Sequence, residues 1–167
     1  MARAQVAPLS QAGPTLAAVQ QRGVLLVTIS LTGKPNAMTV GYLLLGRLWD
    51  RPVMQVFVRP SRYSYTCLQA MHDYTIAVLP PERDEDLLFC GRHSGRELDK
   101  IKRRGLTPIA ARHTRSPLLD EALITYECSV LHHLPVDPSD LPPTVEHGLY
   151  AEGDYHEGFV GEILAVT

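Results

Sequence analysis

Several signals are missing from this 167-residue chain, and each absence removes a class of function. Cysteine is scarce. Cys67, Cys90 and Cys128 form no CxxC pair and no even-numbered framework, which argues against a disulfide-stapled fold and a thiolate metal centre. They read as reduced, mostly buried thiols of a cytosolic protein. No GxGxxG follows an apolar strand pattern and no GxxxxGK[ST] occurs, so neither a dinucleotide-binding fingerprint nor a P-loop is present. No apolar run reaches the length of a membrane span, and the opening Met-Ala-Arg-Ala-Gln-Val-Ala-Pro lacks the apolar core of a signal peptide; the expectation is a cytoplasmic protein without a membrane partner. Excess charge is missing too. A formal net charge of −2 excludes broad nucleic-acid binding, and the basic cluster Lys100, Lys102, Arg103 and Arg104 has no interleaved aromatics to stack on bases. His132 and His133 are adjacent within a strand pattern, hence on opposite faces, so no metal ligand set is assigned.

What the chain does have is 45% hydrophobic residues, enough for one domain over residues 1–167, with residues 1–13 expected as a mobile arm. A helix is expected over 15–21. Gly23 to Leu31 is a continuous β-branched run, and Thr32-Gly-Lys-Pro35 supplies a hairpin turn into a second strand, Asn36 to Leu45. Thr39 and Gly41 within that strand leave two readings open: a backbone kept free for close approach by something flat, or a bulged edge. Trp49-Asp-Arg-Pro52 reads as a turn, Val53 to Val58 as a strand, Arg62 to Met71 as a helix and Tyr74 to Leu79 as a strand. Helical patterns follow over 82–89 and 96–104, a short strand over 107–111 and a long one over 122–133. The Pro- and Gly-rich segment 135–153 has no period and reads as a lid or intersubunit arm before the closing strand 154–166. Strands adjoin through turns instead of alternating with helices, so the predicted class is mainly β: an antiparallel barrel with peripheral helices.

The most informative stretch is the passage from strand to helix at Val58-Arg-Pro-Ser-Arg-Tyr-Ser64. Pro60 stops the strand and Ser61 is the expected cap of the helix. The open amides of the first turn, with Arg59, Arg62 and the hydroxyls of Ser61 and Ser64, make an anion site. The competing reading is a capped helix with two solvated arginines. Ser94, Gly95, Arg96 and Lys100 form a second polar cluster, with Ser94 as expected N-cap; its alternative is a solvated basic helix face. His156 stands at the entry of the closing strand, where strand ends meet loop-built sites.

Four stretches, in order and together, resemble the flavin reductase-like family of FMN-binding split barrels, which includes flavoredoxins and NAD(P)H:flavin oxidoreductases. They are Lys34-Pro-Asn-Ala-Met-Thr-Val-Gly41, Arg59-Pro-Ser-Arg-Tyr-Ser-Tyr65, Ser94-Gly-Arg-Glu-Leu-Asp-Lys-Ile101 with Gly105-Leu-Thr-Pro108, and Gly153-Asp-Tyr-His156 with Val160-Gly-Glu-Ile163. The resemblance implies an antiparallel Greek-key split barrel that forms a homodimer and holds FMN near the subunit interface. It implies that Asn36, Ala37, Met38, Thr39 and Val40 lie along the isoalloxazine, and that Arg59, Ser61, Arg62, Tyr63 and Ser64 surround the phosphate. Ser94, Gly95 and Lys100 are the implied second clamp, and His156 is the implied catalytic-site histidine beside flavin and nicotinamide. The implied activity is hydride transfer from NADH or NADPH to flavin, with a redox partner protein as one destination of the electrons. The alternative is a flavoredoxin-like FMN electron carrier without nicotinamide turnover. Two departures from the family stand out: Tyr42 where many relatives have Trp, and Ser64 where many have Thr. Ser64 keeps the hydroxyl; Tyr42 changes the stacking surface.

Overall fold

The structure, a computed structural model, describes residues 4–167. Among the described residues nine strands form in chain order: β1 Val24–Ile29, β2 Pro35–Val40, β3 Leu43–Leu48, β4 Arg51–Val58, β5 Asp73–Val78, β6 Pro108–Ile109, β7 Leu118–Leu119, β8 Ile124–Pro135 and β9 Glu157–Val166. Seven of them make one antiparallel sheet in the order β2-β1-β5-β8-β9-β4-β3, while β6 and β7 pair separately.

The segment expected as one strand over Asn36 to Leu45 is two strands, β2 and β3, at opposite edges of this sheet. Only Gly41 and Tyr42 join them. From Val40 to Leu43 is three steps along the chain, no more than about 11 Å, so the sheet has to curl until its edges face each other. The Phe57 amide donates to the Tyr42 carbonyl at 3.4 Å, which extends the β3–β4 ladder one step beyond the Leu43–Val56 pair, and the barrel stays split along the seam between β2 and β3.

The alternation of side chains explains the two cores. Val24 and Leu26 of β1, Met38 and Val40 of β2, Val56 and Val58 of β4, and Tyr74 and Ile76 of β5 fill the barrel interior with Phe159 and Ile163 of β9. Leu25, Val27 and Ala37 point the other way, into a second cluster with Leu87, Cys90, Ile101 and Leu106. The strand β1 is therefore buried on both faces, which is why its sequence is continuous rather than alternating. Gly161 permits a close crossing inside the barrel: a Cβ there would lie 2.6 Å from the Tyr74 hydroxyl oxygen, whose proton goes to the Met54 carbonyl at 2.6 Å.

Helices decorate the barrel. Helix α1, Ala12–Gln21, begins three residues earlier than expected and is pinned by a 2.8 Å hydrogen bond between Thr15 and the buried Tyr126 hydroxyl. Of the arm expected over residues 1–13, residues 1–3 lie outside the described residues; further on, the Val6 amide donates to the Val166 carbonyl at 2.9 Å. Helix α2, Tyr63–Met71, carries the chain from β4 to β5 and ends on His72 in the left-handed region (φ 56°). Helix α3, Asp84–Arg92, follows a 3₁₀ turn at Pro81–Arg83. The helix expected over 96–104 shrinks to α4, Lys100–Arg103, because Asp99 rather than Ser94 is its N-cap, accepting from the Lys102 amide at 3.0 Å. The segment 135–153 is not structureless: it holds a 3₁₀ turn, Pro138–Asp140, and helix α5, Pro143–Leu149. The turn of the β3–β4 hairpin is Trp49 and Asp50 alone, both at positive φ, so β4 starts at Arg51.

Candidate functional site

Two cavities share Met38 and Arg62 and so run into one another along the seam. The first, about 100 Å³, is lined by Met38, Ser61, Arg62, Tyr63, Ser64, His93, Ser94, Gly95 and Lys100. The second, about 310 Å³, is lined by Met38 to Tyr42, Phe57 to Arg59, Arg62, Gly91 and His156.

The small chamber is built for an anion. Lys100 is buried, with Nζ donating to the Cys90 carbonyl at 3.0 Å, and among the described residues no carboxylate lies within ion-pair distance of Lys100 or Arg62. Burial, reinforced by the Arg62 charge and opposed by Cys90, pulls the Lys100 amine below the usual lysine range. Two cations without a counter-charge leave a deficit that an anion would fill. Ser64 adds a donor. It is 1% exposed, its Oγ accepts from Asn36 Nδ2 at 2.9 Å, and its own proton has no protein acceptor among the described residues. Helix α2 presents its open N-terminus here, since Arg62, its N-cap residue, supplies no side-chain cap. Gly95 closes the wall: a Cβ there would fall 2.1 Å from Asn36 Oδ1 and 2.8 Å from the Tyr63 ring, so no larger residue permits this approach.

The structure rearranges the anion site expected around Ser61. Ser61 is not the cap of α2; its amide and hydroxyl both bind the Asp154 carboxylate, at 3.2 and 2.6 Å. Arg59 lines the larger chamber, and its guanidinium donates to the Leu149 carbonyl at 2.9 Å and the Asp154 carbonyl at 3.3 Å. Arg62, Tyr63, Ser64, Ser94, Gly95 and Lys100 come together. Arg96 joins them from outside, donating to the Ser61 carbonyl at 2.8 Å and lying over the Tyr63 ring.

Along β2 the alternation sorts the expected residues. Met38 and Val40 face the barrel interior and line the larger chamber, whereas Ala37 faces the second core and lines neither. Asn36 is buried and acts as a brace between β2 and α2 through Ser64. Thr39 Oγ1 donates to the Leu87 carbonyl at 2.6 Å and abuts Gly91, tying the seam edge to α3.

His156 stands at the far end of the larger chamber, 8% exposed. Its Nδ1 is 2.8 Å from the Tyr150 hydroxyl, and its ring meets Tyr42 edge-on at 5.3 Å. Burial first, then the Arg59 and Arg62 charges, hold its pKa below the usual histidine range against the opposing pull of Asp154. The imidazole is neutral at pH 7. With Nδ1 paired to the Tyr150 hydroxyl, Nε2 is the ring nitrogen left for a ligand among the described residues.

Sequence reading missed Tyr150 and Asp154 as site residues. Tyr150 lay in a segment without periodicity, and Asp154 showed only as part of the Gly153-Asp-Tyr-His156 stretch. The three thiols are all buried, which pushes each one up, Cys90 to about 11, so none is a ready nucleophile at neutral pH.

Similarity to known proteins follows the same lines. An uncharacterized protein of Archaeoglobus fulgidus is 26% identical over 139 residues, 83% of this chain and 68% of that protein. Flavoredoxin of Desulfovibrio vulgaris (Miyazaki F) superposes with a TM-score of 0.70 at 22% identity, over 87% of this chain and 68% of its own. An FMN-binding protein from Thermus thermophilus, solved with bound 1-cyclohex-2-enone, gives 0.68 at 22% identity, over 87% and 69%. These solved structures share the fold, the split barrel. The flavin reductase like domain model matches residues 20–167, spanning every strand and both chambers, and with that match the chain belongs to the flavin reductase-like family.

Proposed function

We propose that the chain binds FMN, with the phosphate in the small chamber against Lys100, Arg62 and Ser64 and the isoalloxazine in the larger one, and that hydride passes to it from NADH or NADPH. The carrying observation is the continuity of the two cavities: a buried, uncompensated cationic end joined to a ring-sized chamber that terminates on a neutral histidine. Flavin supplies the hydride-accepting chemistry when bound. The chain's residues do the rest. Lys100, Arg62 and the α2 amides hold the phosphate, Gly95 lets the wall close, and β2 together with Phe57 and Val58 bounds the ring. His156 offers Nε2–H to a carbonyl beside the ring and orients it.

A second copy of the chain is part of this reading. The edge strand β3 has no outer neighbour in the sheet, and Leu44, Leu48 and Trp49 are exposed along it beside the seam. A homodimer covers that edge and the flank of the larger chamber.

Purified protein is expected to take up FMN in preference to riboflavin, seen by absorbance and equilibrium dialysis, and to bleach on anaerobic addition of NADH or NADPH. His156→Ala should keep FMN affinity while the rate of bleaching falls by roughly tenfold to a hundredfold, about 1.4 to 2.7 kcal/mol. Bleaching at the wild-type rate would reduce His156 to packing. FMN uptake without bleaching by either nicotinamide would make the chain an electron carrier instead.

A further inference from the structure

The small anion chamber has an outlet, and one side chain bars it. Among its lining residues Ser64 and Lys100 are buried, whereas Ser61, Arg62 and His93 are exposed, so the way to solvent runs between the start of α2 and the segment 93–99 that joins α3 to α4. Arg96 spans that gap. Its guanidinium donates from Nη1 to the Ser61 carbonyl at 2.8 Å and from Nη2 to the Thr66 hydroxyl oxygen at 3.2 Å, and it lies over the Tyr63 ring at 5.4 Å. A planar, forked donor suits such a two-acceptor bridge, and a lysine has no equivalent.

The segment that carries Arg96 is held along its length. Ser94 Oγ accepts from the Arg96 amide at 3.2 Å, and the Ser94 carbonyl accepts from the Glu97 and Leu98 amides at 3.2 and 3.3 Å, so the backbone is wound into a turn. Gly95 lies so close to Asn36 and Tyr63 that no side chain fits there. At the far end Asp99 caps α4, and Lys100 Nζ sits on the Cys90 carbonyl. The chamber behind this wall measures about 100 Å³, against about 310 Å³ for the larger one. That is room for a terminal group and little more. A flavin dinucleotide continues beyond its first phosphate through a second phosphate to a ribose and an adenine, and the continuation has to leave by the outlet that Arg96 bridges.

We propose that Arg96 is a specificity-determining residue: by tying the 93–99 segment to α2 it closes the phosphate chamber behind a flavin mononucleotide and shuts out a flavin dinucleotide. This assignment rests on the flavin reading for the identity of the ligand. Arg96 acts as a barrier and not as an attracting charge, and the two roles have opposite signs for FAD. Removing a barrier raises FAD affinity, whereas removing an attracting cation lowers it along with that of FMN.

Equilibrium dialysis of the full chain against riboflavin, FMN and FAD reads the difference. The wild type is expected to prefer FMN over FAD by at least about tenfold, the scale of the hydrogen bonds that FAD has to break. Arg96 is exposed, so Arg96→Ala leaves both cores intact, which circular dichroism checks. In that variant FAD affinity should rise about tenfold, while FMN affinity does not rise and riboflavin affinity stays where it was. Arg96→Lys keeps the charge without the fork and should admit FAD as well. Equal wild-type affinities for FMN and FAD, a fall in FAD affinity in Arg96→Ala, undiminished discrimination in Arg96→Lys, or one common factor across all three flavins each overturns the assignment. A chain that binds none of the three flavins fails the flavin reading and the assignment with it; a chain that binds FMN and FAD alike fails the assignment alone.

Discussion

Lys100 concentrates the chemistry of the anion chamber in a single side chain. Burying an ammonium group without a carboxylate is costly, and the shift of its pKa records that cost. A phosphate beside it reverses the balance, so binding and protonation are linked. Because the amine titrates below the ordinary lysine range, FMN affinity should begin to fall at a lower alkaline pH than an unperturbed lysine would cause. The sign is fixed: raising pH removes the charge that the phosphate prefers. Lys100→Met should cost about 1.5 to 3 kcal/mol of FMN binding, the scale of a charge-assisted hydrogen bond, and flatten that alkaline dependence. Riboflavin, lacking the phosphate, should bind almost as before; fluorescence titration of the two flavins against pH checks both statements. His156 runs in the acid direction. Its depressed pKa means that protonation opposes the folded state, so stability present above the free-histidine pKa near 6.5 declines as pH falls through the native value.

Elements, not single residues, decide where these groups sit, and at this scale the sequence was only partly informative. The run Val24 to Ile29 announced a strand, and the passage through Arg59 to Ser64 announced a strand feeding a helix start; both form. Period and turn chemistry are local, and these features are local. The break at Gly41–Tyr42 was legible only in part: Gly41 marked an open backbone or a bulge, whereas the parting of the chain into strands at opposite edges follows from the curl of the whole sheet. Nor was the cap of α4. Ser94 and Asp99 are both good capping residues, and the contact of Gly95 with Asn36 and Tyr63 selects the later start. Asp99→Ala should therefore destabilise the protein by about 1 kcal/mol and loosen FMN binding through misplacement of Lys100, with no loss of riboflavin binding; thermal melts with and without each flavin separate the two effects. Asp154 escaped notice for a similar reason: its partner Ser61 is distant in sequence, and no pattern along the chain pairs them.

At the scale of the whole molecule, the exposed apolar side chains are unevenly spread. Leu44, Leu48 and Trp49 line the β3 edge, and Trp49 reaches the exposed His132 of β8 at 6.0 Å. An unpaired edge with apolar side chains invites pairing with another chain, and covering it with a second copy removes that hazard. Sedimentation should show a dimer, and Leu44→Glu should shift it toward monomer while leaving the barrel folded by circular dichroism. A stable wild-type monomer with full FMN affinity would contradict the dimer. The position of β9 bears on how the protein comes to exist at all. The strand lies between β8 and β4, and among the described residues its ladder is the one that ties the β3–β4 hairpin into the rest of the sheet. Residues 36–40 belong to one side of that link and residues 57–59 to the other. Until Glu157 onward is in place, the two sides of the larger chamber are joined by the Gly41–Tyr42 link and by α2 but by no ladder of the sheet. Flavin capture should therefore report on whether β9 has docked: a chain whose β9 is unpaired is expected to hold most of the barrel's strands and little of its colour.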